Sequence, residues 1–299
     1  MRTDKLPSRR AALSLPLLAP LVAACSPLGI MNAVSPKDRG SHRRAEDVVY
    51  GPDPRHRFDV YAPDARIENP PLLVFIYGGS WRNGDKANYA FVGRAFAAAG
   101  YLVAIPDYRV VPDVRYPDFV IDCGRAAATF QARAEEFGSR RGPVYLVGHS
   151  AGAYNAVMLA LAAELAAAGG LERESIAAVA ALSGPYDFLP LRVTATEEAF
   201  AGVENLEATQ PVNRVRSDAP PMLLANGSDD DVVLPKNIHR LQELLEAEGV
   251  PVVTREYEGL GHAATLLALA RLFRWRAEVL EDVTGFFAEV DARAKTAAA

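Results

Sequence analysis

Val144-Tyr145-Leu146-Val147 runs directly into Gly148-His149-Ser150-Ala151-Gly152, and an alanine-rich stretch reaching to about residue 168 follows. An apolar run, a G-x-S-x-G pentapeptide and a helix-forming segment in that order predict a strand, a sharp turn and a helix. A serine hydroxyl is a weak nucleophile. It has to stand where a base can reach it and where backbone N–H groups can face a developing oxyanion. The two glycines let neighbouring backbone pass close to such a turn. Ser150 is therefore the candidate nucleophile.

Outward from this turn, strand-like and helical runs alternate. Residues 47–62 hold two short strand-like runs ending in Phe58-Asp59-Val60-Tyr61, and Leu72-Leu73-Val74-Phe75-Ile76 is a continuous apolar run of the kind buried on both faces of a sheet. Helices are expected over 87–99, 117–137, 151–168, 236–248 and 276–293, and strands over 101–105, 144–147, 176–182, 222–225 and 252–257. Such alternation specifies an α/β domain with a mostly parallel central sheet and helices on both faces. Ligands bind such sheets beyond the carboxyl ends of the strands, where Ser150 falls. Residues 185–218 interrupt the rhythm and read as a small cap lining the pocket or as a surface excursion.

A serine nucleophile needs a base, and the chain has five histidines. His42 lies near the N-terminus, His56 on an early strand, His149 beside the serine, and His239 on the polar side of a helix whose apolar stripe is Ile238, Leu241, Leu244 and Leu245. His262 remains, in a glycine-rich loop after the last strand, where an imidazole can swing over the sheet end towards Ser150. A carboxylate must hold that imidazole in one tautomer. The run Asn226-Gly227-Ser228-Asp229-Asp230-Asp231 supplies three aspartates that cannot all be buried as anions. Asp230 is selected by its spacing from Gly227, with Asp231 as the alternative. Two backbone donors for an oxyanion are expected from Ala151 and from the Gly78-Gly79 pair in Tyr77-Gly78-Gly79-Ser80-Trp81. Asp107 and Arg109 read as a loop-bracing pair, and Trp81 either packs under the glycine loop or faces substrate.

Over roughly residues 47–290 these motifs resemble the α/β-hydrolases of the esterase group with His-Gly-Gly-type oxyanion loops, which includes hormone-sensitive-lipase-like carboxylesterases, feruloyl-esterase-like proteins and kynurenine formamidases. The chain order Ser150, Asp230, His262 is that of the family. Tyr77 stands where the family has histidine. The resemblance implies hydrolysis of a small to medium carboxylic ester through an acyl-enzyme, with no metal or organic cofactor. An arylformamidase-like amidase and a non-catalytic binding protein on the same fold are the alternatives.

Composition agrees with one large α/β domain, since half the residues are hydrophobic and 23% are charged. Residues 1–44 carry eight Lys/Arg against two Asp/Glu, which leaves an acidic body and argues against a nucleic-acid partner. Arg2, Lys5, Arg9 and Arg10 precede an apolar stretch, Ala11 to Ala24, that is too short and proline-broken for a good membrane span. It reads as an export signal over 1–24. Leu21-Val22-Ala23-Ala24-Cys25 resembles the lipobox of bacterial lipoproteins, and Ser8-Arg9-Arg10 resembles a twin-arginine signal. The expected organisation is thus a signal (1–24), an anchor at Cys25 with a tether (25–45) and a catalytic domain (46–299), exported to the cell envelope. The other cysteine, Cys123, reads as a buried apolar residue, and no Cys/His spacing suggests a zinc site. Oligomeric state is not legible.

Overall fold

The computed structural model describes residues 27–298. The export signal over 1–24 and the lipidation candidate Cys25 lie outside the described residues. One eight-stranded sheet forms the centre of the fold. Its strands are β1 (Ser41–Val49), β2 (Arg57–Pro63), β3 (Leu72–Ile76), β4 (Leu102–Pro106), β5 (Val144–His149), β6 (Ile176–Leu182), β7 (Met222–Gly227) and β8 (Val252–Tyr257), in the spatial order β1-β2-β4-β3-β5-β6-β7-β8. β2 pairs antiparallel with β1 and β4, and every pairing from β4 through β8 is parallel. The mostly parallel sheet flanked by helices is what the alternation implied, and it has the α/β-hydrolase architecture that the resemblance implied.

Burial accounts for the strand sequences. β3, β4, β5 and β7 are buried at every residue, which is why they read as unbroken apolar runs rather than alternating ones. Outer strand β1 is mostly exposed, and its sequence, Ser-His-Arg-Arg-Ala-Glu-Asp-Val-Val, has the charges that protect a sheet edge from further pairing. The polarity of its first part, residues 41–46, conceals that part from a hydrophobic pattern search. Residues 27–45, expected to be a tether, instead contribute helix α1 (Pro27–Val34) and half of β1. Asn32 fastens α1 by donating to the Ala87 carbonyl and accepting from the Phe91 N–H, and Asp38 forms a two-pronged ion pair with Arg274.

Helices follow the expected places with altered ends. Helix α2 is Ala90–Ala98, preceded by a 3-10 turn over Lys86–Tyr89 that Asp85 caps at its N-terminus. The single helix expected over 117–137 divides at Arg133 into α3 (Asp118–Ala132) and α4 (Ala134–Phe137), closed by left-handed Gly138. The alanine-rich segment likewise divides at Ala162 into α5 (Ala151–Leu161) and α6 (Ala163–Ala168). Further along are α7 (Thr194–Ala199), α8 (Lys236–Ala247), α9 (His262–Leu267) and α10 (Val279–Ala298). All eleven residues of α5 are buried, so small alanines are what permit its close approach to the sheet. No helix among the described residues is long and apolar enough to cross a membrane.

Register explains the position of the site. Ile76 of β3 pairs with Gly148 of β5, His149 of β5 with Leu182 of β6, and Gly227 of β7 with Tyr257 of β8. The segments leaving β3, β5, β7 and β8 therefore emerge at one end of the sheet.

Candidate active site

Ser150 occupies a backbone conformation that residues with a Cβ seldom adopt, with φ +55° and ψ −125°. The surrounding glycines make that turn feasible. A Cβ on Gly148 would collide with the Gly152 carbonyl, and one on Gly152 would collide with the Ile76 carbonyl. With no room for a side chain at either place, the turn passes close to β3 and lifts the Ser150 hydroxyl above the sheet end.

The hydroxyl meets an imidazole. His262 Nε2 lies 2.9 Å from Ser150 Oγ, and His262 Nδ1 lies 2.9 Å from Asp230 Oδ2. A carboxylate only accepts, so Nδ1 carries the proton and Nε2 presents its lone pair to the serine O–H. Asp230 is buried while Asp229 and Asp231 are exposed, in keeping with the argument that one of the three anions is withdrawn from water. Burial pushes the Asp230 carboxyl up, but hydrogen bonds from His262 and the Val233 amide oppose it, and the net direction is down. Its other oxygen, Oδ1, accepts from the Val232 and Val233 amides. Among the described residues no hydrogen bond or ion pair joins Asp231 to His262, whose carboxylate partner is Asp230. The loop expected to carry His262 is short, and the residue opens helix α9.

The glycine pair after β3 borders the serine. A Cβ on Gly78 would stand 2.8 Å from Ser150 Cβ and 2.9 Å from the His149 carbonyl, so only glycine lets this backbone lie against the turn. Gly79 has φ +127°, a conformation open to glycine, and Ser80 and Trp81 also have positive φ. Ala151 is the first residue of α5, where an N–H has no partner within the helix. Gly78, Gly79 and Ala151 thus stand around Ser150 as candidate oxyanion donors.

Tyr77 supports this loop from beneath. Its ring is stacked between Tyr89 and Tyr108, both at 4.9 Å, and its hydroxyl donates to Asp107 Oδ1 at 2.6 Å while accepting from Arg55. Burial drives the Asp107 carboxyl up, against the opposing hydrogen bonds from Tyr77 and Lys86 N–H. The expected pair of Asp107 with Arg109 is not formed. Arg109 instead makes a two-pronged pair with buried Asp122 of α3, because its side chain leaves the strand end towards the helix rather than towards the loop. Trp81 has two kinds of neighbour. It is buried, donates Nε1–H to Asn155 at 3.0 Å and stacks on Phe119, yet part of it lines the cavity beside Ser150.

Two cavities flank Ser150. The larger, about 560 Å³, is bounded by Trp81 and Ala151 and by Pro185, Phe188, Leu189 and Val193. Residues 185–196, the first part of the 185–218 segment, therefore supply a wall of this cavity. The smaller, about 390 Å³, is bounded by Gly78, Gly79, His262 and Leu266, and by Leu28 and Met31 of α1. Among the described residues no cluster of three or more His, Cys, Asp or Glu is arranged to hold a metal ion. Cys123 is fully buried, and burial drives its thiol well up.

The family model BD-FAE matches residues 58–245, more than half of the chain. The chain belongs to the BD-FAE family. Esterase LipC of Mycobacterium tuberculosis is 32% identical to this BD-FAE chain over 257 residues, covering 77% of it and 62% of LipC. A probable isoprenylcysteine alpha-carbonyl methylesterase of Oryza sativa subsp. japonica is 29% identical, covering 76% of the chain and 59% of the relative. The chain thus spans about three fifths of the length of these curated relatives. Esterase B from Lactobacillus rhamnosis, in complex with a tributyrin phosphonate, superposes with a TM-score of 0.79 at 21% identity, covering 90% of this chain and 92% of that one. A truncated carbohydrate esterase from gut microbiota superposes with a TM-score of 0.74 at 19% identity, covering 86% and 99%. These structures share the fold of the BD-FAE chain.

Several members of the site carry no sequence motif. Asn155 is the polar residue in the centre of otherwise apolar α5, and that exception was its signal. Ser183 and Thr265, whose hydroxyls meet at 3.0 Å with Thr265 also donating to the His262 carbonyl, and Leu28 and Met31 of the smaller cavity had none, because their places depend on which surfaces the fold brings together.

Proposed function

We propose that this protein is a serine carboxylic ester hydrolase acting on small to medium esters. The observation that carries the reading is the unbroken relay Asp230 Oδ2, His262 Nδ1, His262 Nε2, Ser150 Oγ, with both contacts at 2.9 Å. Support also comes from the esterase names of its relatives and from membership of the BD-FAE family.

In this reading Ser150 Oγ attacks the ester carbonyl as its proton moves to His262 Nε2, and the carbonyl oxygen becomes an anion held by the N–H groups of Gly78, Gly79 and Ala151. Collapse breaks the bond to the alcohol oxygen, which takes the proton from His262 and departs. Water then attacks the acyl-serine, gives a proton to the same nitrogen, and the acid leaves as Ser150 recovers its hydrogen. Asp230 keeps Nδ1 protonated and stabilises the imidazolium formed in each half. Tyr77, buried under the glycine loop, takes the supporting position that histidine has in the His-Gly-Gly type. The protein works at the cell envelope, exported by residues 1–24 and held by a lipid on Cys25.

Hydrolysis of p-nitrophenyl esters from two to twelve acyl carbons, with Ser150→Ala alongside, tests the chemistry. The expected result is turnover that vanishes with Ser150 and labelling of Ser150 by a fluorophosphonate. Absence of both turnover and labelling would reject the reading. Cys25→Ser is expected to move the protein from the membrane to the soluble fraction, and unchanged fractionation would reject the anchor.

A further inference from the structure

The two cavities beside Ser150 are chemically unequal, and the inequality assigns them. Both reach Ser80, Ser150 and Val232, but only the smaller one is bordered by His262. If the protein hydrolyses esters as proposed above, the leaving oxygen must take its proton from His262 Nε2, so it must lie on the His262 side of the tetrahedral carbon. The acyl chain then points the other way, into the cavity walled by Trp81 and Phe188.

The smaller cavity has an apolar lining beyond the reacting groups. Leu266 and Leu267 come from α9, immediately after His262, and Leu28 and Met31 come from α1. Leu28 and Met31 are partly buried and pack against the core, and α1 is fixed there by the two Asn32 hydrogen bonds rather than trailing free. We propose that this cavity receives the alcohol portion of the ester, that it selects an apolar alcohol, and that Leu28 and Met31 on the N-terminal helix set the length it accepts. The inference rests on the ester-hydrolase reading and assigns it a substrate class: esters whose alcohol side is a hydrocarbon chain.

Two ester series measured on the full chain separate the cavities. In alkyl acetates from methyl to hexyl only the alcohol grows, and in methyl esters of the matching acids only the acyl group grows. Each methylene buried on the alcohol side is expected to raise kcat/KM about threefold to fourfold. In Met31→Trp, which fills the cavity, the ratio of kcat/KM for hexyl over methyl acetate is expected to fall at least tenfold, while the slope of the acid series stays as in the parent. Leu28→Ala, which widens the cavity, is expected to move the preferred alcohol to a longer chain, and it decides the matter if the tryptophan variant does not fold by circular dichroism. A changed acid series with an unchanged alcohol series would overturn the assignment, as would no change in either. A parent protein that hydrolyses methyl acetate but is indifferent to alcohol length would overturn this inference alone. A parent that hydrolyses no ester and is not labelled by a fluorophosphonate at Ser150 would overturn the hydrolase reading and this inference with it.

Discussion

His149 donates its Nε2–H to the backbone carbonyl of His262 across 3.0 Å, and the two rings lie 5.0 Å apart. The residue preceding the candidate nucleophile therefore holds the backbone of the candidate base. The same carbonyl accepts from the Thr265 hydroxyl at 3.0 Å, so two donors fix the start of α9. The first histidine of the pair is a positioning residue. Its imidazole is buried, and burial, followed by the nearby His262, lowers its pKa from 6.5 to about 3.

That depression gives a pH dependence of known sign. The folded state binds the His149 proton more weakly than the unfolded chain, so the stability tied to the neutral ring is complete above about pH 6.5 and is lost as pH falls towards 3. The loss is about 1.4 kcal/mol for each pH unit in that window. His149→Gln keeps an N–H for the His262 carbonyl and removes the titration. Urea unfolding from pH 7.5 to 4 is expected to show a shallower acid decline in the variant, and parallel declines would count against a neutral buried His149.

The adjacent aspartates offer a sharper comparison. Asp230→Asn retains an acceptor for the Val232 and Val233 amides, so the turn should survive. An amide N–H facing His262 would disfavour the Nδ1-protonated tautomer, and turnover is expected to fall by about four orders of magnitude with little change in melting temperature. Asp231→Asn, at an exposed position, should retain turnover within about twofold. Equal losses in both variants, measured as kcat/KM on one p-nitrophenyl ester, would reject the assignment of Asp230.

Much of this site could be read because its chemistry is encoded by local sequence. Gly148 and Gly152 announce a turn that no larger residue fits, Gly78 announces a close approach, and His262 follows by elimination among five histidines. Asp230 was reachable through its spacing from Gly227, once burial of all three neighbouring carboxylates was excluded. Local pattern says nothing about partners distant in sequence. Arg109 was paired with Asp107 because they are neighbours in the chain, whereas its partner is Asp122, thirteen residues on and one turn inside α3. Likewise the first part of β1, residues 41–46, was hidden by its charges, and α1 is too short and too close to the apolar signal to stand out as part of the body.

Tyr77 tests the support beneath the glycine loop. Tyr77→Phe keeps the stacking on Tyr89 and Tyr108 but removes the hydroxyl between Asp107 and Arg55. A largely buried carboxylate then loses a donor, which costs about 1–3 kcal/mol. Thermal unfolding should shift down by several degrees. If the brace also fixes the oxyanion donors, kcat falls while KM stays close to the parent value, since the loss concerns the transition state more than substrate binding. A variant with unchanged melting temperature would show that the hydroxyl contributes nothing to the loop.

The N-terminal boundary of the folded body can be measured by deletion. A chain that begins at residue 46 loses α1, the ion pair of Asp38 with Arg274, and the β1 residues Ser41, His42, Arg43 and Ala45 that pair with β2. Much of β2, a mostly buried strand, then becomes a sheet edge without the charged strand that covers it. Thermal melts and light scattering of chains beginning at residues 27 and 46 should show a midpoint lower by about 5 °C or more for the shorter chain, with aggregation that rises with concentration. The shorter chain also lacks Leu28 and Met31 from the wall beside His262, so its preference among alkyl acetates should broaden where it remains folded. Equal midpoints and equal solubility would place residues 27–45 outside the stable body despite their contacts with it.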